Sequence, residues 1–410
     1  MSSATNQVSG SSERRVPAVV IGGELNGLGV CRSLAMGRMP IWVVDCKRSN
    51  PALWSRYVHR VFTDALHGPG FIDFLRDLQR RLGEPPFLVV TDELALLTIS
   101  EHRKQLERLY RFRLPAHETV LMLHDKARFH EHAGLHGWPV PNGAVVRALA
   151  DTPRIASLRP PMILKPADKR HFHEGHAPRL ITAENCADAI ATAERLLAQA
   201  GEVLVQETIE GSDDNIYFCL FYRGRDRETL ALFTGQKLAS TPPGIGSTAF
   251  CTAAANEELE RTTKGILDQV NYVGFGGIEY KRDARSGRFL IIEPTVGRTD
   301  WQEEVATLAG VNIPLIAYRH ELGLRPLSEG PIDGRMVWQS SWIERIRLGA
   351  TPIPPRSVVV DGYWRRDDPL PALAHYPHHA AHGVALHLQP WFAELQRKLG
   401  AAVCRRPSEA

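Results

Sequence analysis

The chain has no run of apolar residues approaching the ~20 positions that a bilayer-crossing helix needs. It also has no paired cysteines. Cys31, Cys46, Cys186, Cys219, Cys251 and Cys404 stand singly with no Cys-x-x-Cys among them. That spacing argues against a zinc knuckle or redox dithiol and fits free thiols in a reducing cytoplasm. An excess of one charge is missing too: 49 Lys and Arg against 46 Asp and Glu leave a net charge of +3. So small a charge gives no footprint for nucleic acid or an anionic membrane. No internal repeat is found. The opening MSSATNQVSGSSERR is polar and lacks the apolar centre of a signal peptide, so residues 1–15 read as a disordered tail. A soluble cytoplasmic protein without nucleic-acid or membrane partners is expected.

What is present is ordinary globular material, 43% hydrophobic and 23% charged over 410 residues. At ~100–200 residues per domain that suggests two to four domains. PAVVIGG, NGLGVCRSLAMG and PIWVVDC read as strand, helix, strand, and a helix at Phe71–Leu82 and a strand at Phe87–Thr91 follow. Residues 16–120 are therefore expected to form an open α/β domain. HDKARFHEHAGLHG predicts a helix that stops at Gly137, before an extended WPVP exit. Strands at Met162–Lys165, Val203–Glu207, Asn215–Arg223 and Leu230–Lys237, with a helix at Ala187–Ala200, give the next region an α+β texture. Beyond about Leu324 the periodicity weakens, and residues 326–410 read as an appended module.

One motif invites a different conclusion. VIGGELNGLG with Asp45 after the next strand imitates a dinucleotide fingerprint, and a Rossmann-type oxidoreductase is the competing reading. The glycines at 22, 23, 27 and 29 do not match Gly-x-Gly-x-x-Gly, and a tight turn with close helix packing explains them as well.

The strongest chemical signal is GFGGIEYKRDARSGRFLIIEPTVGR, two apolar strands around a polar turn. A turn centred on Ser286 sets Glu279 directly opposite Glu293, on one face, among the apolar Ile278, Tyr280 and Ile292. Opposed like charges repel, and a bridging Mg²⁺ would remove the conflict. The alternative is an edge hairpin whose acids pair with Lys281 or Arg298. Lys165 ends an apolar strand, where its ammonium should lack a partner until a ligand arrives. Lys126 opens a helix and Lys237 sits on an alternating strand. Three lysines ahead of two paired acids make sense around a triphosphate. VLVQETIEGSDD, a strand ending in a short connector, can offer backbone groups to an adenine edge and a carboxylate to a ribose.

The order and spacing of these segments, over roughly residues 16–325, resembles the ATP-grasp superfamily, and within it carboxylate–amine ligases of the D-alanine–D-alanine ligase and D-aspartate ligase type. The resemblance implies an α/β and α+β ATP-grasp fold: a Rossmann-like pre-ATP-grasp domain at 16–120, an ATP-grasp domain at 121–325 with a lid at about 142–211, and a C-terminal extension at 326–410. It implies ATP and Mg²⁺, with Mn²⁺ an acceptable substitute. Lys126 and Lys165 match nucleotide-phosphate lysines, Gln206, Glu207 and Ile209 the adenine hinge, and Asp213 the ribose acid with Asp214 as near alternative. Lys237 matches a lysine reaching the terminal phosphates, and Glu279 and Glu293 match the metal-binding acids.

Three departures accompany the match. Thr295 stands where the family places a metal-binding asparagine, and its hydroxyl can ligate the metal or hold a metal-bound water. The lid loop KPADKRHFHEGHAPRL is basic rather than glycine-rich; its His171, His173 and His176 read as phosphate contacts or solvated side chains before zinc ligands. Arg298 is displaced from the usual arginine position but close enough to act at an acyl phosphate, so with Lys237 it is a catalytic candidate. Gly22, Gly23, Glu24 and Asn26, with Arg298, are candidates for binding the organic substrate. VVVDGYWRRDDPLPAL resembles an extension of some such ligases, in which Asp367 or Asp368 would approach the amine or serve structure. The implied reaction joins a small carboxylate to a small amine through an acyl phosphate, releasing ADP and phosphate, and a homodimer is compatible with it. A non-catalytic nucleotide-binding protein of the same fold is a further reading.

Overall fold

The computed structural model describes residues 15–168, 178, 180–327, 330–349 and 353–376. The chain begins with a parallel sheet of β1 (Ala18–Ile21), β2 (Ile41–Asp45), β3 (Val58–Phe62) and β4 (Phe87–Val90), in the order β3-β2-β1-β4. Strands AVVI and FLVV are buried along their whole length, as strands covered on both faces must be. Edge strand β3 carries exposed His59 and Arg60. The helices of this unit are α1 (Leu25–Ala35), α2 (Pro69–Leu82), α3 (Glu93–Glu101) and α4 (Arg103–Leu106). The strand order reverses between β1 and β4, so their carboxyl ends flank a crevice of the kind that binds ligands in open α/β sheets.

The glycines of the apparent fingerprint serve this turn. Gly22 has φ +95°, and a Cβ on Gly27 would lie 2.1 Å from the Gly22 carbonyl oxygen. A Cβ on Gly29 would press at 3.0 Å on Glu304 Cβ. Asp45, the apparent ribose acid, accepts instead from the Gly23 and Lys47 amides and from Asn50 at 2.5–2.8 Å.

Two helices follow, α5 (His117–His124) and α6 (Lys126–Leu135). They break at Asp125, whose carboxylate caps α6 by accepting from Arg128 N–H at 2.8 Å. The next unit is an antiparallel sheet, β5 (Gly143–Val146), β8 (Val203–Glu207), β6 (Met162–Pro166) and β7 (Ile181–Ala183), covered by α7 (Cys186–Ala200). It has its own core, including Val146, Leu164, Leu196 and Val205.

The third unit is a seven-stranded sheet in the order β13-β12-β9-β10-β11-β14-β15. Its strands are β9 (Ile216–Arg223), β10 (Thr229–Thr241), β11 (Ser247–Ala253), β12 (Gly274–Arg282), β13 (Phe289–Val296), β14 (Met336–Gln339) and β15 (Val358–Asp361). Its helices are α8 (Glu257–Gln269), α9 (Glu303–Leu308), α10 (Ile313–Glu321) and α11 (Trp342–Leu348). The segment after Leu324, expected as an appended module, thus completes the sheet; strands of four residues are too short to print a clear period in sequence. One core joins Val20, Leu28 and Val43 to Phe218, Phe233, Val305 and Trp338, and another joins Val19, Leu88 and Leu96 to Tyr280 and Ile291. The change of texture near residue 120 is therefore a boundary between element types but not between hydrophobic cores. Among the described residues no helix is long and apolar enough to cross a membrane.

Candidate active site

A cleft opens where α5 and α6 meet the antiparallel sheet and β13. Its lining includes His124, Lys126, Lys165, Gln206 and Glu293. Lys126 is the first residue of α6, with its N–H donating to Ala167 carbonyl at 3.1 Å. Lys165 and Gln206 project from adjacent antiparallel strands β6 and β8. Lys165 is buried, and its Nζ donates to Gln206 Oε1 at 3.5 Å, so the expected partnerless ammonium is not what the fold contains. Burial of so polar a group needs such company. Gln206 is oriented in turn by His130, whose Nδ1 lies 3.2 Å from its Nε2. Burial holds His130 below the usual imidazole range.

The expected hinge and ribose residues divide. Glu207 ends β8, where its carboxylate accepts from the Arg159 amide at 3.0 Å and faces its guanidinium at 3.4 Å. Ile209 is half-buried in the connector that follows. Asp213 accepts from Ser240 N–H at 2.8 Å and Gly244 N–H at 2.9 Å, clamping the β10–β11 turn. Asp214 is exposed and accepts from Ser212 Oγ. In this structure Asp213 clamps the turn through one bond on each carboxylate oxygen, which leaves both oxygens able to accept from a further donor.

The hairpin pairs Glu279 with Glu293, the register expected from a turn at Ser286. Toward the turn the register slips, with Tyr280 opposite Ile291, because Ile292 forms a bulge. Lys237, two strands from β12, reaches Glu279 Oε1 at 2.8 Å. The partners suggested by sequence, Lys281 and Arg298, do not make that contact: Arg298 Nη2 faces Glu93 at 4.0 Å, and the acids acting on Lys281 are Asp213 and Asp283. Gln302 bridges Glu279 at 3.0 Å and Thr248 Oγ1 at 2.7 Å. Burial pushes the Glu279 carboxyl above its ordinary range; Lys237 opposes this, and Asp300 and Glu293 add to it. Burial works against the charge on Lys237, but Glu279, Asp300 and Glu293 outweigh it and hold the ammonium above its usual range.

Thr295, the expected third ligand, donates from Oγ1 to Asp300 Oδ2 at 3.0 Å. Asp300 was not singled out in the sequence. It comes beside the paired acids because the chain turns back through Gly297 at φ +64°, which strand spacing does not reveal. Among the described residues no three His, Cys, Asp or Glu side chains are arranged to hold a metal ion, and Glu279 is closed onto Lys237. The chemistry of the set is still that of a hard-cation site: Glu279, Glu293 and Asp300 offer only oxygen, and Lys237 and Arg298 both feel their charge.

Glu93 and His124 were also missed, since neither belongs to a spaced motif. Glu93 Oε1 lies 3.3 Å from His124 Nδ1 and within 4.0 Å of Arg298, at the carboxyl end of β4. Glu93, Asp300 and Glu293 together outweigh the burial that would weaken the Arg298 charge. Arg298 thereby connects the crevice of the parallel sheet with the paired acids. The expected substrate-binding turn is partly consumed by the fold. Gly23 N–H donates to Asp45, and Asn26 exchanges two hydrogen bonds with Thr299, at 2.8 and 2.9 Å, locking α1 to the Arg298 loop. Glu24 is exposed at the same turn.

Asp368 does not approach an amine: it is buried and accepts from Arg32 Nε, Ser55 Oγ and Arg56 N–H at 2.9–3.0 Å. Asp367 accepts from Tyr57 Oη at 2.5 Å. His171, His173 and His176, with the rest of the basic loop, lie outside the described residues.

No family model matches the chain. A D-aspartate ligase of Enterococcus faecium (strain Aus0004) is 24% identical over 342 residues, covering 78% of this chain and 79% of that protein. Among solved structures, N5-carboxyaminoimidazole synthetase from Staphylococcus aureus superposes with a TM-score of 0.58 at 14% identity, over 76% of this chain and 78% of that one. The biotin carboxylase domain of the Hydrogenobacter thermophilus 2-oxoglutarate carboxylase, solved with MgADP, ADP and bicarbonate, gives a TM-score of 0.62 at 14% identity, over 79% and 74%. With the three-unit architecture, these likenesses identify the fold as ATP-grasp.

Proposed function

We propose that this chain is an ATP-dependent carboxylate–amine ligase that forms an amide through an acyl phosphate and releases ADP and phosphate. The observation that carries the reading is a cleft lined by Lys126, Lys165, Gln206 and Glu293, with Glu279 directly across from Glu293 and ion-paired to Lys237. Cations for phosphate oxygens thus stand beside carboxylates suited to a hard cation. The similarity to a D-aspartate ligase favours an amino-acid carboxylate as one substrate.

In this reading Lys126 and Lys165 bind the nucleotide phosphates, the strand end at Gln206, Glu207 and Ile209 meets the adenine, and Asp213 or Asp214 meets the ribose. Glu279, Glu293 and Asp300 would hold Mg²⁺, with Thr295 steadying Asp300. The ion supplies charge compensation at the transferring phosphoryl group. Lys237 then exchanges Glu279 for the terminal phosphate. A substrate carboxylate oxygen bonds to the γ-phosphorus as the bond to ADP breaks. The amine nitrogen next bonds to the acyl carbon, phosphate leaves, and the amine's proton passes to a nearby base. His124, beside Glu93, is the group in the cleft suited to accept it. Arg298 orients the acyl phosphate, and the turn at Gly23, Glu24 and Asn26 frames the organic substrate.

The test is product analysis with Mg²⁺–ATP, a panel of amino acids and a panel of amines. ADP and phosphate formed only when both partners are present, with a product of the condensed mass, is expected. AMP and pyrophosphate, or ADP release with bicarbonate in place of any other acid, would overturn the reading.

A further inference from the structure

Glu279 Oε1 has two donors of different kinds. Lys237 Nζ reaches it at 2.8 Å from β10, and Gln302 Nε2 reaches it at 3.0 Å from the loop that follows Arg298. The ligase chemistry takes Lys237 away, because its ammonium moves to the terminal phosphate. Gln302 is neutral and has no part in that exchange.

Gln302 is buried and immediately precedes α9. An ion-paired carboxylate only accepts, so the amide nitrogen is the end that faces Glu279. The second hydrogen of that nitrogen goes to Thr248 Oγ1 at 2.7 Å, and the amide oxygen is buried with no hydrogen-bond partner. Turning the amide over would set its carbonyl against the Glu279 carboxylate. The side chain thus gives up its acceptor, a costly loss in the interior, to keep both hydrogens where they are. A leucine in the same space would avoid that loss, so packing alone does not account for a glutamine here.

The far side of this contact is anchored. Thr248 is buried on β11, in register with Ser240 of β10. Its carbonyl accepts from Trp301 Nε1 at 3.1 Å, so the loop is pinned to one residue at two atoms. The same loop supplies Asp300, whose Oδ1 accepts from Trp301 N–H at 2.7 Å and whose Oδ2 accepts from Thr295 Oγ1 at 3.0 Å. Residues 300–302 therefore bring a third acid and a fixed amide to the paired carboxylates together. Both donors to Glu279 take Oε1, and neither takes Oε2.

We propose that Gln302 is a positioning residue for the metal site: tied to Thr248, its amide fixes the Glu279 carboxylate by Oε1, so that Oε2 is offered to the cation in one orientation before and after Lys237 leaves. This rests on the metal site of the ligase reading and divides the work at it. Lys237 neutralises Glu279 while the cation is away and competes with the cation when it arrives. Gln302 has no charge and does not compete. Hydrogen-bond donors behind a ligating carboxylate orient it and set metal affinity by ~10–100-fold.

The test melts the full-length chain with the non-hydrolysable nucleotide adenylyl imidodiphosphate across a series of Mg²⁺ concentrations. Gln302→Leu should raise the Mg²⁺ needed for half-maximal stabilisation about tenfold. Its melting temperature without Mg²⁺ should stay at or above that of the parent, because an unsatisfied acceptor is removed. Stabilisation by the nucleotide in EDTA should be unchanged. Thr248→Val keeps the amide and removes its anchor, and should raise the Mg²⁺ requirement by a smaller factor. A parental requirement in both variants would overturn the proposal, as would the lack of any Mg²⁺ effect on the parent. A change confined to the melt without Mg²⁺ would also overturn it and make Gln302 a packing residue. If Gln302→Leu does not fold, an unshifted Thr248→Val is enough to overturn it. The ligase reading falls separately, on product analysis, if the Mg²⁺ shift is present and no condensed product forms.

Discussion

Two groups of acids, one ending at Asp300 and the other beginning at Glu303, behave in opposite ways. Glu304 on α9 accepts from Trp338 Nε1 at 2.9 Å and faces Arg365 at 2.8 Å and Arg32 at 3.5 Å. Its neighbour Glu303 has hydroxyl partners, Ser33 and Thr307, and burial pushes its carboxyl up to about 8. That group is closed: one acid is matched by fixed cations and the other is held mostly neutral at ordinary pH. Glu279, Glu293 and Asp300 have Lys237 in their midst, on a side chain long enough to move. An acid held by fixed cations is architecture; a cluster of carboxylates around a movable lysine can exchange that lysine for an arriving ligand.

Breaking the closed group should have the largest effect. Arg32→Met keeps the bulk but strands Asp368, and is expected to cost ~3–5 kcal/mol of stability. Denaturant melts measure this, and ADP release per folded molecule should be unchanged. A melt like the parent's would mean that the C-terminal segment is held by other contacts.

Glu293→Gln should do the reverse. Turnover is expected to fall ~100-fold or more through lost metal and phosphate compensation, while the apo protein is at least as stable because a cross-strand repulsion is gone. Melting curves with and without Mg²⁺–ATP, beside ADP-release rates, check both halves. A destabilised variant with near-parental turnover would make Glu293 a structural acid.

Glu303 sharpens the contrast through pH. An unfolded carboxyl ionises near 4.5, and the folded one near 8. Between those values the unfolded chain has released a proton that the native chain retains, so stability should fall as pH rises across that window. Glu303→Gln should remove that slope and gain on the order of 2–3 kcal/mol over the parent at pH 8, with little difference at pH 5. Parallel stability–pH curves for the two proteins would contradict it. The smallest effect is expected from Asp300→Asn, which keeps a partner for Thr295 and removes one charge. Its Mg²⁺ requirement should rise about tenfold, read from the Mg²⁺ concentration needed for thermal stabilisation by ATP. An unchanged requirement would leave Asp300 as an anchor for Thr295.

Much of the candidate site was legible along the chain because it lies on regular elements. The opposition of Glu279 and Glu293 follows from strand alternation and one turn, and even the Ile292 bulge falls beyond it. Lys165 and Gln206 meet diagonally because β6 and β8 are adjacent strands, with Ile163 opposite Gln206 and Leu204 opposite Lys165. The glycine spacing departs from a dinucleotide fingerprint, and Asp45, the apparent ribose acid, is bonded within the turn.

What sequence could not supply were contacts made between elements. Lys237 meets Glu279 across an intervening strand, Asn26 meets Thr299 over 273 residues, and Arg32 meets Asp368 over 336. Asp213 also accepts two backbone amides from the β10–β11 turn, contacts that its place after β8 does not reveal. Periodicity reports which face of a strand or helix is buried, because burial repeats with the geometry of the backbone. A charge buried on that face takes its partner from whatever element packs against it, and one dimension of sequence contains no record of that distance.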